Sequence, residues 1–465
     1  MMIRTIRLML FLSLAAVILQ ACAQQPQPAR GWQELPEILQ NIVPPPFPDR
    51  QFDIEEYGAV GDGTTNCTDA FRKAIQECAD AGGGQVLVPA GRFLTGPIHL
   101  KSNVNLHVTE GATVLFSTDP SDYSDLVLTR WEGVECMNYS PLIYACDQQN
   151  IGITGSGVLD GQGSDENWWS WKGKNRPGWK EGMPDQKADR TELFAMAEKG
   201  VPVGDRVFGE GHYLRPNFVQ PYRCRNILIE GVTFRNSPMW FIHPVLCTNV
   251  TVRDLTVVGP GPNNDGCNPE SSKDVLIRNC YFDTGDDCIA IKSGRNADGR
   301  RVNVPSENIV IQDCRMKDGH GGVVVGSEIS GGVRNVYAEN CLMDSPNLDR
   351  ALRIKTNSIR GGTIENIFAR NIEVGEVSEA VFKINFFYEE GDAGEFTPVV
   401  RNISIENLTC KKGLYAIWIR AYERSPVENL LLEECRFEGI QKESVLEGVR
   451  GLSLRQVTVN GEPME

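Results

Sequence analysis

The sequence predicts an all-β chain wound as a single-stranded parallel β-helix, a solenoid closed at its N-terminal end by one cap helix. Three observations predict it. A phrase of the form Asn-apolar-x-apolar, followed by a polar pair and often by Cys, recurs at Asn226, Asn249, Asp274, Asn308, Asn335, Asn366, Asn402 and Asn429. Successive markers stand 23, 25, 34, 27, 31, 36 and 27 residues apart, the irregular period of a solenoid with a fixed core and variable loops. Within each phrase the apolar residues alternate, as in Val275 and Ile277 or Ile309 and Ile311, and many are β-branched. One such strand per period, with no amphipathic helix between, favours a parallel β-helix over leucine-rich or helical repeats.

Taken in order, residues 1–22 read as an export signal, with Arg4 and Arg7 before the apolar run Leu8 to Leu19. Two cleavage readings compete: Ala21-Cys22-Ala23 fits the small-x-small rule, and Leu19-Gln20-Ala21-Cys22 resembles a bacterial lipobox. The second is preferred and makes Cys22 the lipidated first residue, with the mature protein exported to the periplasm or outer membrane. The run is short for a stable transmembrane helix. Residues 23–50, rich in Gln and Pro, read as a linker, and residues 51–465 as the catalytic solenoid. Phe71, Ala74, Ile75 and Cys78 fall at helical spacing before Gly82-Gly83-Gly84, which predicts the cap helix over Thr68 to Ala81. From Asp165 to Arg215 the coil pattern breaks into a loop excursion carrying Trp168, Trp169, Trp171 and Trp179. It reads equally well as a surface elaboration or as sugar-stacking, cleft-closing material.

With 465 residues, 41% hydrophobic, the chain has ample material for a large core. A formal net charge of −15 argues against general binding to nucleic acid or to anionic membranes, so a polyanionic partner would have to meet a local basic spot. The cysteines number 14, far from a disulfide-stapled density, and show no metal-type Cys-x-x-Cys pair. Cys280, Cys314, Cys341 and Cys435 each fall six residues after a marker and read as a stack of small buried hydrophobes. No metal or cofactor is expected, and the protein is expected to be a monomer.

Four polar clusters stand out: Asn263-Asn264-Asp265, Gly285-Asp286-Asp287, Gly319-His320-Gly321 and Arg353-Ile354-Lys355. Asp265, Asp286, His320 and Arg353 lie 16, 12, 12 and 18 residues after their markers, the same part of four consecutive coils. Coils of such a solenoid sit about 4.8 Å apart, so the clusters should form a column roughly 15 Å long, carboxylates at one end and cations at the other. Three crowded carboxylates cannot all stay ionised cheaply, so one pKa should rise, giving the acid and base that glycoside hydrolysis needs. A separation of about 6.5 to 9.5 Å would leave room for a water and predict inversion. Each cluster alone reads as a turn or a surface pair; their common phase argues for one site. Arg353 and Lys355 project to the same side of a strand and suit a substrate carboxylate.

With these residues in view, the chain resembles glycoside hydrolase family 28, the polygalacturonase family, over nearly all of its length after the linker. The likeness is carried by Tyr57-Gly58-Ala59-Val60-Gly61-Asp62-Gly63, by Asn236-Ser237-Pro238-Met239-Trp240, and by the stretch from Gly285 to Gly294. The resemblance implies a right-handed β-helix and hydrolysis with inversion. It casts Asp286 as general acid, Asp265 and Asp287 as the pair activating water, and His320 as a supporting residue. Arg353 and Lys355 are implied to bind a galacturonate carboxylate, with Asn263, Lys292 and, on a weaker match, Tyr388 also on the substrate. One departure appears: the family's Asn-Thr-Asp is here Asn263-Asn264-Asp265. The implied partner is an acidic plant polysaccharide, galacturonan or rhamnogalacturonan. The leading reading is hydrolysis of α-1,4-galacturonosidic bonds, with exo action if the excursion walls off one end of the cleft. Behind it stand a rhamnogalacturonan galacturonohydrolase, then a Ca²⁺-dependent pectate lyase, then a non-catalytic glycan-binding protein.

Overall fold

A computed structural model of the chain describes residues 31–464. The export signal, Cys22 and residues 23–30 lie outside the described residues. Parallel strands stack along one axis in three ladders, one ladder on each face of the coil. The first runs from Gln51–Asp53 through Gly84–Val88 and Val104–Val108, and on through the marker phrases to Val449–Arg455. The second collects the short strands that follow each turn, such as Thr256–Gly259 and Tyr281–Thr284. The third passes from Val219–Tyr222 by single bridges at Ile242 and Cys267 to Ile289–Ile291, Val323–Val325, Arg350–Lys355 and Ala380–Asn385.

The recurring asparagines are explained by backbone geometry. Each marker from Asn226 to Asn429 adopts a positive φ, 56° to 60°, at the corner where a strand begins. Asparagine and aspartate tolerate this left-handed conformation better than other side chains. The carboxamides then hydrogen-bond from coil to coil: Asn335 Nδ2 donates to Asn308 Oδ1 at 3.0 Å, Asn366 to Asn335 at 3.0 Å, and Asn402 to Asn366 at 3.1 Å. The interior is filled by the alternating apolar residues, all buried in one continuous core. Cys280, Cys314, Cys341 and Cys435 are buried within it, and every described cysteine is a free thiol. Cys341 stacks on Ile372, which stacks on Leu408, so cysteine fills the same slot as aliphatic residues on other coils.

Helix α1 spans Leu35–Asn41 and helix α2 spans Thr68–Asp80. Helix α2 buries Ala70, Phe71, Ala74, Ile75 and Cys78 against the first coils, as the spacing predicts, and covers their otherwise open edge. At the far end Glu462–Pro463 folds back antiparallel on Thr458–Val459.

The stretch preceding the solenoid differs from the expected linker, because residues 31–50 are packed along its outer wall. Leu35, Ile38 and Ile42 are buried against Val310, Tyr337 and Phe368 of successive coils. The indole of Trp32 donates to Glu406 at 3.2 Å and meets Tyr337 edge-on with centroids 5.6 Å apart. Val43 then exchanges two hydrogen bonds with the Asn249 side chain, 2.9 and 2.8 Å. This is the point where the ladder is interrupted: Asp274 has no amide to donate, and the Val43 N–H takes the Asn249 oxygen instead. Further along, a Cβ on Gly152 would come within 2.7 Å of the Phe47 ring, so glycine is required beneath it. The Gln- and Pro-rich composition hid this because its few apolar residues are spaced to cover outward-pointing aromatics on other coils.

Candidate active site

The third ladder brings the four sequence clusters to one cavity of about 410 Å³. Asp265 and Asp287 precede the bridged residues Cys267 and Ile289 by the same two positions, and Gly266 N–H donates to the Asp287 carbonyl at 3.0 Å. His320 sits on the next coil with its backbone N–H on Asp286 O at 3.1 Å. Arg353 and Lys355 follow on Arg350–Lys355, Arg353 in register with Val324 and Lys383. Gly321 is needed here, since a Cβ would meet a Val324 methyl at 2.5 Å.

One oxygen from each of Asp265, Asp286 and Asp287 lies within 4.8 Å of the others. This is closer than the spacing that accompanies inversion, so that outcome does not follow from the geometry. The cations are not set apart at one end, as the column reading expects. Lys355 reaches back to Asp287 Oδ2 at 2.6 Å, and Arg353 approaches Asp287 Oδ1 at 3.4 Å. Long flexible side chains span two coil spacings, which marker arithmetic on backbone positions does not register. Lys292 lies 3.0 Å from Glu328 and 3.7 Å from Asp265, and its ammonium stands 4.6 Å from the Trp240 ring centroid. Tyr388 presents its ring to both Arg353 and Lys355, at 5.5 and 5.3 Å from its centroid.

Asn263 accepts from buried Arg215 at 2.7 Å, and its amide nitrogen turns towards Asp286 at 3.5 Å. Asn264 is fully buried: its amide donates to the carbonyls of Ser237 and Met239, both at 2.9 Å, so the variant residue of this motif holds a turn rather than facing the cavity.

The electrostatics separate Asp265 from Asp286. Burial pushes the Asp265 carboxyl well above the usual carboxylate range, and neighbouring Asp286 adds to the effect. Its Oδ2 accepts from Asn268 at 3.0 Å, while Oδ1 makes no hydrogen bond within the protein. Burial acts on Asp286 in the same direction, but the hydrogen bond and charge of His320, aided by Lys355 and Lys292, outweigh it and hold that carboxyl below the usual range. The same 3.1 Å contact, Nδ1 to Oδ1, pushes His320 up to about 9. One acid is raised, as expected from crowding, but it is Asp265; Asp286, cast as the acid, rests as a carboxylate paired with an imidazolium.

Several lining residues carry no signal in the sequence pattern. The excursion packs against the solenoid through helix α3, Lys187–Glu198, whose Leu193 and Ala197 meet Trp131, Phe208 and Trp240. Trp168 and Trp169 are buried and Trp169 Nε1 donates to Ser237 O at 2.9 Å, so these two indoles serve as anchors and not as sugar platforms. The excursion instead delivers Lys172 and Arg190 to the cavity. Arg190 pairs with Glu132 at 2.7 Å and approaches Glu389 at 3.6 Å; buried Arg295 joins Glu389 at 3.1 Å and Glu328 at 3.5 Å. A charged wall thus links the excursion to Lys292 and Asp265.

A cleft on a parallel β-helix, holding three clustered acids of which Asp265 and Asp286 are shifted in opposite directions, with cations around them, suits an acid–base glycoside hydrolase. The chain belongs to the glycosyl hydrolases family 28, whose model matches residues 209–453, more than half of it. Residues 51–108 match a second model, described as rhamnogalacturonase A/epimerase, pectate lyase-like. A hyperthermoactive exopolygalacturonase from Thermotoga maritima is 51% identical, with a TM-score of 0.90 over 93% of this chain and 97% of its own. A probable polygalacturonase of Vitis vinifera is 28% identical across 82% of this chain and 72% of its own length. An exo-poly-alpha-D-galacturonosidase of Dickeya chrysanthemi is 29% identical across 77% of this chain and 62% of its own length. The fold is the right-handed parallel β-helix of the solved family 28 polygalacturonases, the Thermotoga enzyme among them.

Proposed function

We propose that the protein hydrolyses α-1,4-galacturonosidic bonds of galacturonan with inversion, releasing units from a chain end. The observation that carries this reading is the pairing of Arg353 and Lys355 above the Tyr388 ring, next to Asp287 and within reach of the three acids. A guanidinium and an ammonium so placed suit the carboxylate of a uronate directly beside the bond to be cleaved. Exo action is supported by the wall of Arg190, Glu132 and Glu389 around the cavity, and by the names of the Thermotoga and Dickeya relatives.

In this reading Asp286 protonates the leaving oxygen with the proton it receives from Asp265, the charged His320 staying beside it, while Asp287 and Asp265 orient and deprotonate the attacking water. The unbonded Asp265 Oδ1 is the acceptor for that water. The proton held on Asp265 in the free site has to pass to Asp286 before cleavage, and since their oxygens lie only within 4.8 Å of each other the transfer runs through a bridging water. A calcium-dependent lyase is disfavoured because Lys355, Arg353 and Lys292 already flank the carboxylate oxygens a cation would need. The match of residues 51–108 keeps a rhamnogalacturonan galacturonohydrolase as the second reading. Export and lipid attachment at Cys22 belong to the same proposal, since a polymer of this size has to be met outside the cytoplasm. Labelled palmitate that is still incorporated after Cys22→Ser would argue against the anchor.

The test is to incubate the protein with polygalacturonate and with rhamnogalacturonan, with and without a chelator, and to size the products over time while following the anomer by NMR. Monomer from the earliest points, of inverted configuration and indifferent to chelation, is expected from polygalacturonate. A ladder of oligomers would remove the exo assignment, and an unsaturated product would remove hydrolysis.

A further inference from the structure

The cavity cations are mostly satisfied by the protein itself. Lys355 has Asp287 at 2.6 Å, Lys292 has Glu328 at 3.0 Å, Arg190 has Glu132 at 2.7 Å and Arg350 has Asp349 at 3.0 Å. Lys172 stands apart: it lines the same cavity, yet among the described residues no carboxylate pairs with its ammonium. Its position is not that of a loose surface lysine. It ends the short helix Trp168–Lys172, which Trp169 pins over the successive coils of Ser237 and Gly261. Those two coils precede the one bearing Asp286, whereas Arg353 and Lys355 come from strands that follow it. Cations therefore flank the acids on both sides along the solenoid axis. Those on the C-terminal side are shared with Asp287; the one on the N-terminal side is uncommitted.

We propose that Lys172 is a specificity-determining residue that receives the carboxylate of the sugar on the side of the cleaved bond away from Arg353 and Lys355. The assignment rests on the galacturonan reading above and sharpens it: both sugars flanking the bond must be uronates with free carboxylates. Partial burial already lowers the Lys172 ammonium below its usual value, and an arriving anion would raise it again. A methyl-esterified galacturonate, or a rhamnose, would leave the ammonium with only the fields of Glu132, which is itself paired with Arg190, and of Asp286 to set against the positive Arg215 and Arg190. Because the contact is made equally in the bound substrate and in the transition state, it should govern KM more than kcat.

The experiment measures hydrolysis of trigalacturonate and of its methyl ester by the full protein and by its Lys172→Met and Lys172→Arg variants. The Lys172 side chain reaches solvent through the cavity and pairs with no carboxylate among the described residues, so an unchanged thermal midpoint is expected and verifies folding. Lys172→Met should raise KM for the free acid about tenfold, the scale of one charge-assisted hydrogen bond, with kcat within about twofold. Its preference for the acid over the ester should shrink by a similar factor, and Lys172→Arg should restore most of both. An unchanged KM together with unchanged ester discrimination in Lys172→Met overturns the assignment while leaving galacturonan hydrolysis intact. Failure of the wild-type protein to cleave trigalacturonate overturns the galacturonan reading, and this assignment with it.

Discussion

At the scale of single residues, the informative contact is that of His320 with Asp286. Asp286 and His320 together hold one proton, and the mutual stabilisation of imidazolium and carboxylate raises the imidazole to about 9. Because the folded pKa lies above the usual histidine value, the charged pair is fully present near neutrality and is lost as pH rises through about 9. The expected outcome is an alkaline limb in kcat/KM close to that pH. His320→Gln should lower kcat by about 10²-fold or more, in line with loss of a proton-handling partner, and should abolish or displace the limb. A variant that keeps the wild-type limb would show that another group titrates there. The identities of these residues were legible in the sequence, because the acids and the imidazole share a phase with the strand markers. Their proton affinities were not. Which acid is raised depends on burial and on cations arriving from other coils, and neither is a property of local spacing.

At the scale of elements, the asparagine corners join two separable effects. Asn335 needs a left-handed backbone, φ +58°, and it also bridges Asn308 to Asn366. Asn335→Gly keeps the backbone freedom and loses two hydrogen bonds in a buried setting, an expected cost of about 1–3 kcal/mol. Asn335→Ala loses the same bonds and adds about 1 kcal/mol of strain, so the order of stability in denaturant should be Asn, then Gly, then Ala. Equal stability of the two variants would remove the backbone argument. The corners were easy to read because one residue type meets one backbone requirement at every turn. The excursion was harder: its tryptophans suggested sugar contact, yet Trp168 and Trp169 hold it down, and its functional reach comes from Lys172 and Arg190. A side chain's destination cannot be read from a stretch without periodicity.

At the scale of the whole molecule, a solenoid is close to one-dimensional, each coil touching only its neighbours. Residues 31–50 break that rule by running against the axis, from Glu406 past Phe368, Tyr337 and Val310 to Asn249 and on to the first coil. The double variant Leu35→Ala, Ile38→Ala removes two buried side chains from this contact and should cost roughly 2 kcal/mol or more for each, seen as a lower thermal midpoint. Amide exchange should then quicken in the covered coils around Val310, Tyr337 and Phe368. Unchanged protection there would mean that the segment rests on the solenoid without securing it.

The direction of this segment also orders events in time. Its seat on Val310, Tyr337 and Phe368 does not exist until those coils have wound, yet the segment itself is made before any of them. During synthesis it must wait unattached while its own docking surface is built hundreds of residues later. Its arrival works as a completion check, closing only on a chain whose middle coils are correctly in register.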